Sequence, residues 1–216
     1  MNKSDIPFLL ESLDALFPNA HCELNFNSVF QCLVAVSLSA QTTDASVNEV
    51  TPALFEAFPT PFEMSKASLP EIEGYIRRLG LYHNKAKNLL TLSSYLVEQD
   101  GGEVPKTKEE LVRLPGVGIK TANVVLAECY KVPAIAVDTH VSRVSIRLGL
   151  AKEGDEPGEI ERKLERMIPR DRHIKSHHQL IFLGRRICHA RNPRCEDCPL
   201  SVRCRYFGKN KSIKGK

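Results

Sequence analysis

Four cysteines crowd into 17 residues near the C-terminus: Cys188, Cys195, Cys198 and Cys204, spaced C-x6-C-x2-C-x5-C. So short a run buries too little apolar surface to fix its own shape, and whatever cross-links the sulfurs decides it. The chain opens with MNKSDIPFLLESLDALF, acidic throughout and without a small-residue cleavage site, so a reducing compartment is expected. Thiols crowded in this way in such a compartment favour metal ligation over disulfides. Zinc and iron–sulfur remain. Zinc sites usually present two short Cys-x-x-Cys knuckles, whereas this run has one, flanked by wider loops that could wrap a bulkier cubane. Cys198-Pro199 also matches the proline that follows a cluster ligand in ferredoxins, and the spacing therefore favours a [4Fe-4S] cluster over zinc. Cys22, Cys32 and Cys129 lie in apolar runs and are expected to be small core residues.

The rest of the chain must fold around this loop. Hydrophobic residues make up 42% of its 216 positions and charged ones 26%, which excludes disorder and collagen-like structure. No stretch approaches the roughly 18 to 20 uninterrupted apolar residues of a membrane helix. A soluble, cytoplasmic (nucleoid-associated) monomer with no targeting peptide and no membrane partner is expected. Helix-period patterns dominate: 28–38 is apolar nearly all round, and in 86–99 Leu89, Leu92, Leu96 and Val97 stripe one face. Residues 117–128 and 140–149 show similar stripes. Punctuation agrees, with Thr42, Thr43 and Asp44 at one helix start, Pro105 and Thr107 at another, and Gly80, Gly101 and Gly149 where helices should stop. No alternating run is long enough for a strand, so the expected class is all-α.

Charge placement narrows the partner. Residues 170–216 hold 13 Lys and Arg against three Asp and Glu, while the remaining 169 residues are net acidic. A basic end on an acidic body suits a polyanion, because each cation placed on a phosphate releases counterions. Arg191 and Arg194 fall in the first cysteine interval, and Arg203 and Arg205 bracket the last cysteine. Such a loop is better suited to gripping phosphate than to passing electrons.

A weak internal repeat points the same way. Residues 79–90, LGLYHNKAKNLL, and 114–125, LPGVGIKTANVV, share a leucine, a glycine turn, Lys-x-x-Asn and two aliphatics. Two related helical hairpins are expected. In the second, Pro115 ends one helix, Gly116 and Gly118 permit a tight turn, and the amides from Val117 to Lys120 would open the next helix toward an anion. Such a site would grip a DNA phosphate whatever the base sequence, the alternative being an ordinary turn between two helices. It is not a nucleotide P-loop, since the G-x-x-x-x-G-K-[ST] spacing is absent.

ELNFNSVFQCLVAVSLSAQTTD, LPGVGIKTANVVL, AIAVDTHVSRV and the four-cysteine tail, in that order and at those separations, resemble the endonuclease III family of helix-hairpin-helix DNA glycosylases and abasic lyases. The resemblance covers nearly the whole chain. It implies two helical lobes, a bundle over 23–132 and a cluster lobe from 1–22 plus 133–216, with double-stranded DNA across the cleft between them. It also implies excision of oxidised pyrimidines followed by β-elimination at the abasic site. Position 119, often basic in relatives, is Ile119 here, and this departure touches no catalytic residue.

Breaking an N-glycosidic bond builds positive charge on the sugar and needs a group to take C1′. A lysine amine can take it, remain as a Schiff base and so permit loss of the 3′ phosphate. By resemblance that lysine is Lys120, at a helix start whose dipole disfavours a cation; Lys85, its counterpart in the first hairpin, is expected to bind only DNA backbone. Asp138, after the apolar run 133–137, could be the N-cap of the next helix, and by resemblance it is also the essential acid facing Lys120. Gln41 resembles the residue that fills the gap left by an everted base, and Leu79 resembles an apolar wedge; both could instead be helix-end and packing residues. A non-catalytic DNA-binding iron–sulfur protein that senses redox state is the alternative; it leaves Lys120 and Asp138 unused.

Overall fold

The computed structural model describes Met1–Gly208, and every regular element among those residues is helical. The lysines at 209, 211, 214 and 216, counted above in the basic end, lie outside the described residues. None of the described helices is long and apolar enough to cross a membrane. The chain divides into two compact units, one over Glu23–Val132 and one drawn from Met1–Cys22 and the segment beginning at Pro133.

The first unit named is built on a buried helix. After α1 (Ile6–Leu16), which belongs to the other unit, α2 (Val29–Leu38) is the segment whose apolar residues run all round, and Phe30, Cys32, Leu33, Val34, Ala35, Val36 and Leu38 are all buried. Burying a leucine fully stabilises by about 1.5–3 kcal/mol relative to leaving it in water, so this helix has no exposed alternative. Around it lie α3 (Asp44–Ala57), α4 (Pro61–Lys66), α5 (Leu69–Ile76), α6 (Tyr82–Asp100), α7 (Lys108–Leu111) and α8 (Ile119–Tyr130), with α3, α6 and α8 each packed on α2. The helix starts follow the capping chemistry of the sequence. Ser28, Thr43, Thr60 and Thr107 each accept a first-turn amide, and Glu63 and Glu71 complete capping boxes. At the other end of α6, Gly101 takes φ 60°, the left-handed stop that its position predicts. Gly80 does not stop a helix: α5 ends at Ile76, and Gly80 sits in the turn that follows.

The second unit packs α9 (Thr139–Leu148) against α10 (Pro157–Met167) and α11 (His173–Arg186), with α1 also on α11. Gly184 is required at the α9–α11 contact, because a Cβ there would lie 2.8 Å from the His140 Cβ. Asp14 on α1 is the polar tie to α11: its carboxylate accepts from Lys175 at 2.7 Å, Gln179 at 2.9 Å and Arg172 at 2.9 Å. These donors, Lys175 first and then Gln179, hold the Asp14 carboxyl down to about 2. A lowered carboxyl contributes stability that is present above its ordinary value and lost as pH falls toward the folded value. Urea unfolding is therefore expected to show Asp14→Asn losing stability relative to the parent at pH 5 and converging with it near pH 2. Because the side chain is 37% exposed, water and salt screen the pairs and the effect stays under about 1 kcal/mol.

Candidate active site and cluster loop

The two lysine hairpins share residues but not geometry. In the second, Leu114 is buried, Gly116 takes φ 76° and Gly118 caps α8. A Cβ at Gly116 would also press on the Asn88 side chain at 3.3 Å, so both conformation and space ask for glycine there. The first helical bond of α8 runs from Ala122 N to Gly118 O at 3.0 Å, which leaves the amides of Ile119, Lys120 and Thr121 without an intrahelical acceptor. One expectation needs correction: the Val117 amide is consumed inside the turn by Leu114 O at 3.1 Å, and its side chain is buried. The anion-facing amides therefore begin at Gly118. Lys120 is exposed at the second position of α8, so its own unit does not bury it.

In the first hairpin the helix starts two residues earlier. Leu81, which aligns with Gly116, takes φ 59° and is itself the cap of α6. Lys85 is thereby the fourth residue of its helix where Lys120 is the second, so a helical turn already precedes Lys85 while α8 is only opening at Lys120. Their burial differs: Lys85 is 7% exposed, its Nζ donates to Thr42 Oγ1, and it lines a cavity with Gln41 and Leu81. A side chain at that depth does not meet the expectation that Lys85 binds DNA backbone.

Leu79 must also be reassigned. It is 3% exposed, packed in the turn where its amide bonds to Ile76 O, and cannot enter a base step without leaving the core. Two residues on, past Gly80, Leu81 is 56% exposed. Leu81 and Gln41 line the same cavity, together with Asn84, Asn88 and Gly116. Both take left-handed φ, 59° and 55°, which is uncommon for residues with a side chain. Nothing in composition or period marks a leucine for that conformation. The one available signal was its alignment with a glycine in the repeat.

On the other unit, Asp138 caps α9, its Oδ1 accepting the Val141 amide at 2.8 Å. One oxygen is thus committed to the helix and the second is not needed for it. His140, next on this helix, has its charged form disfavoured first by burial and then by Arg143, against the pull of Asp138. Arg143 Nη2 lies 3.2 Å from His140 Nδ1.

The same helix carries the residues that hold the cysteine loop, and sequence reading missed them. Arg143 donates to Gly184 O at 2.8 Å and Cys188 O at 3.1 Å. One turn later Arg147 donates to His189 O at 2.6 Å, to Ala190 O at 2.9 Å and to Cys188 Sγ at 3.3 Å, while its guanidinium lies 4.5 Å over the Tyr206 ring. Of the arginines expected on phosphate, Arg191 is exposed, whereas Arg194 pairs with Asp197 at 2.7 Å on the surface. Arg203 bonds Asp5 at 2.8 Å and covers Phe8.

Cys188, Cys195, Cys198 and Cys204 all line one cavity, walled by Val144, Leu148, Leu183 and Ile187. Burial, followed by the charge of the neighbouring thiols, pushes Cys198 up to about 11 and raises Cys195 as well. Four thiolates here would repel one another, and iron within the cavity would offset that repulsion. Four thiols converging on one apolar-walled cavity are a donor set of the kind an iron–sulfur cluster takes.

Comparisons with known proteins agree with this geometry. Residues 34–170 match the model of the HhH-GPD superfamily of base excision DNA repair proteins, and residues 188–204 match the iron–sulfur binding domain of endonuclease III. The chain is 48% identical over 215 residues to endonuclease III of Bacillus subtilis, covering 100% of this chain and 98% of that one. It is 43% identical to endonuclease III of Escherichia coli, over 95% of this chain and 97% of the relative. A solved endonuclease III trapped as a covalent intermediate with DNA, in an estranged-adenine complex, superposes with a TM-score of 0.94 at 47% identity, covering 98% and 99% of the two chains. A thermostable thymine-DNA glycosylase shares the fold, with a TM-score of 0.87 at 22% identity over 95% and 98%.

Proposed function

The chain belongs to the endonuclease III family of helix-hairpin-helix base excision DNA repair proteins, and from that premise we propose which of its residues do the chemistry and on which lesions. It is a DNA-binding glycosylase and abasic lyase that carries a [4Fe-4S] cluster. The substrate is duplex DNA with an oxidised pyrimidine or an abasic site, and the enzyme acts as a monomer.

The observation that carries the residue assignment is an exposed amine at the second position of a helix whose opening amides lack intrahelical acceptors. A phosphate seated on those amides and on the turn at Gly116 and Gly118 sets the register of the backbone beside Lys120. Lys120 Nζ, once neutral, attacks C1′ as the bond from C1′ to the base nitrogen breaks, and the base leaves with a proton. The C1′–O4′ bond then opens, O4′ taking a proton, to give a Schiff base that acidifies C2′; loss of that proton expels the 3′ phosphate, and water then frees the lysine. Asp138, through the oxygen not used as a cap, stabilises the cationic sugar. Gln41 enters the gap behind the everted base. Leu81 replaces Leu79 as the apolar wedge, a reading supported by its exposure and by the cavity it shares with Gln41.

Cys188, Cys195, Cys198 and Cys204 would hold the cluster, whose contribution when bound is to cross-link a loop with little core of its own. Arg147 and Arg143 orient that loop from α9; Arg191 offers a phosphate contact on its surface, and Arg194 offers one when it exchanges Asp197 for a phosphate. Base release and nicking on duplexes carrying a single oxidised thymine, oxidised cytosine or oxidised purine test the reading. Release from both pyrimidines, followed by a β-elimination product, is expected, with Leu81→Ala slowing release about tenfold. Preference for the oxidised purine would overturn the lesion assignment, and a normal rate in Leu81→Ala would overturn the wedge.

A further inference from the structure

Lys85 is buried to 7% exposure, and burial disfavours its charged form. A charge at that depth is costly unless it is hydrogen-bonded, and methionine would fill the same space at no such cost. What the ammonium holds is therefore the question. Its Nζ donates to Thr42 Oγ1, and the Thr42 hydroxyl donates onward to Ala40 O at 3.3 Å. With its one proton committed to Ala40, the hydroxyl offers lone pairs to Lys85, so the chain runs in a single direction from ammonium to hydroxyl to carbonyl. The residue it spans is Gln41, at φ 55°. Thr42 N closes the same turn on Ser39 O at 3.1 Å. A strained conformation persists only where its surroundings over-determine it.

We propose that Lys85 is a positioning residue for base eversion: through Thr42 it holds Gln41 in the left-handed turn from which the amide side chain enters the duplex. The inference rests on the gap-filling role of Gln41. It also gives the first hairpin a task different from that of the second. The backbone turn that grips phosphate near Lys120 has as its counterpart a buried lysine that braces the inserting residue.

The test uses the full chain with its cluster, and a duplex bearing a fluorescent base analogue opposite the lesion, followed by stopped flow. Lys85→Met and Thr42→Val are each expected to slow opening by about the same factor as Gln41→Ala, roughly five- to tenfold. Lys85→Met combined with Gln41→Ala should be no slower than either alone, because both remove one device. Thr42→Ser, which keeps the hydroxyl, should restore the rate that Thr42→Val loses. Borohydride trapping on a duplex abasic site, relative to the same site in a single strand, should fall by the same factor in Lys85→Met. Should Lys85→Met fail to fold, the Thr42 pair carries the test.

Slow Gln41→Ala beside normal Thr42→Val, or losses from Lys85→Met and Gln41→Ala that multiply, would overturn the role of Lys85 alone. A normal rate in Gln41→Ala would overturn the role of Gln41 itself.

Discussion

Lys120→Ala is expected to abolish the protein–DNA adduct that borohydride captures on a duplex with one abasic site, and to cut strand nicking on the order of a thousandfold. The loss should reflect chemistry rather than folding. Lys120 is exposed on the first turn of α8, alanine is the best helix former, and surface changes of this type usually shift stability by under about 0.5 kcal/mol. DNA affinity should fall only modestly, since backbone amides and the turn at Gly116 and Gly118 remain. Gel analysis of the reduced adduct checks this directly. An adduct that survives in Lys120→Ala would place the nucleophile on another residue.

The second large effect separates the two tasks of Asp138. Asparagine caps helices about as well as aspartate, so Asp138→Asn should retain the Val141 amide bond and the parent's urea midpoint. What it loses is the negative charge beside a developing sugar cation, and single-turnover base release should drop on the order of a hundred- to a thousandfold. Asp138→Ala should show the same kinetic loss together with about 1 kcal/mol of lost stability from the missing cap. If Asp138→Asn released base at a near-parental rate, the residue would be a cap and nothing more.

The parts of the molecule legible in advance were those where one local rule dominates. Helix α2 is apolar on every side and α6 carries a clear stripe, and both form close to where the period places them. The cysteine loop was legible because its spacing is itself the signal, and Asp138 because an acid after an apolar run is how a cap is written. The errors arose where a tertiary relation decides. Leu79 and Leu81 differ by two positions and by nothing in hydrophobicity; which one is exposed depends on α6 beginning at a left-handed leucine. Lys85 is covered by the turn at Thr42 where Lys120 is exposed, so aligning the two suggested a likeness of environment that tertiary packing removes. Arg143 and Arg147 carry no motif or spacing that marks them in the sequence. Only the packing of α9 against the segment after α11 shows that they are spent on carbonyl oxygens of the cysteine loop.

The discontinuous unit has a consequence for biosynthesis. Its first piece, ending at Cys22, leaves the ribosome long before α11, the surface on which α1 packs. Every residue of the 23–132 unit emerges in between, so that unit can condense while the N-terminal segment still waits with Leu9 and Leu13 uncovered. Vectorial synthesis thus leaves α1 without its packing surface until α11 has emerged, in the last third of translation.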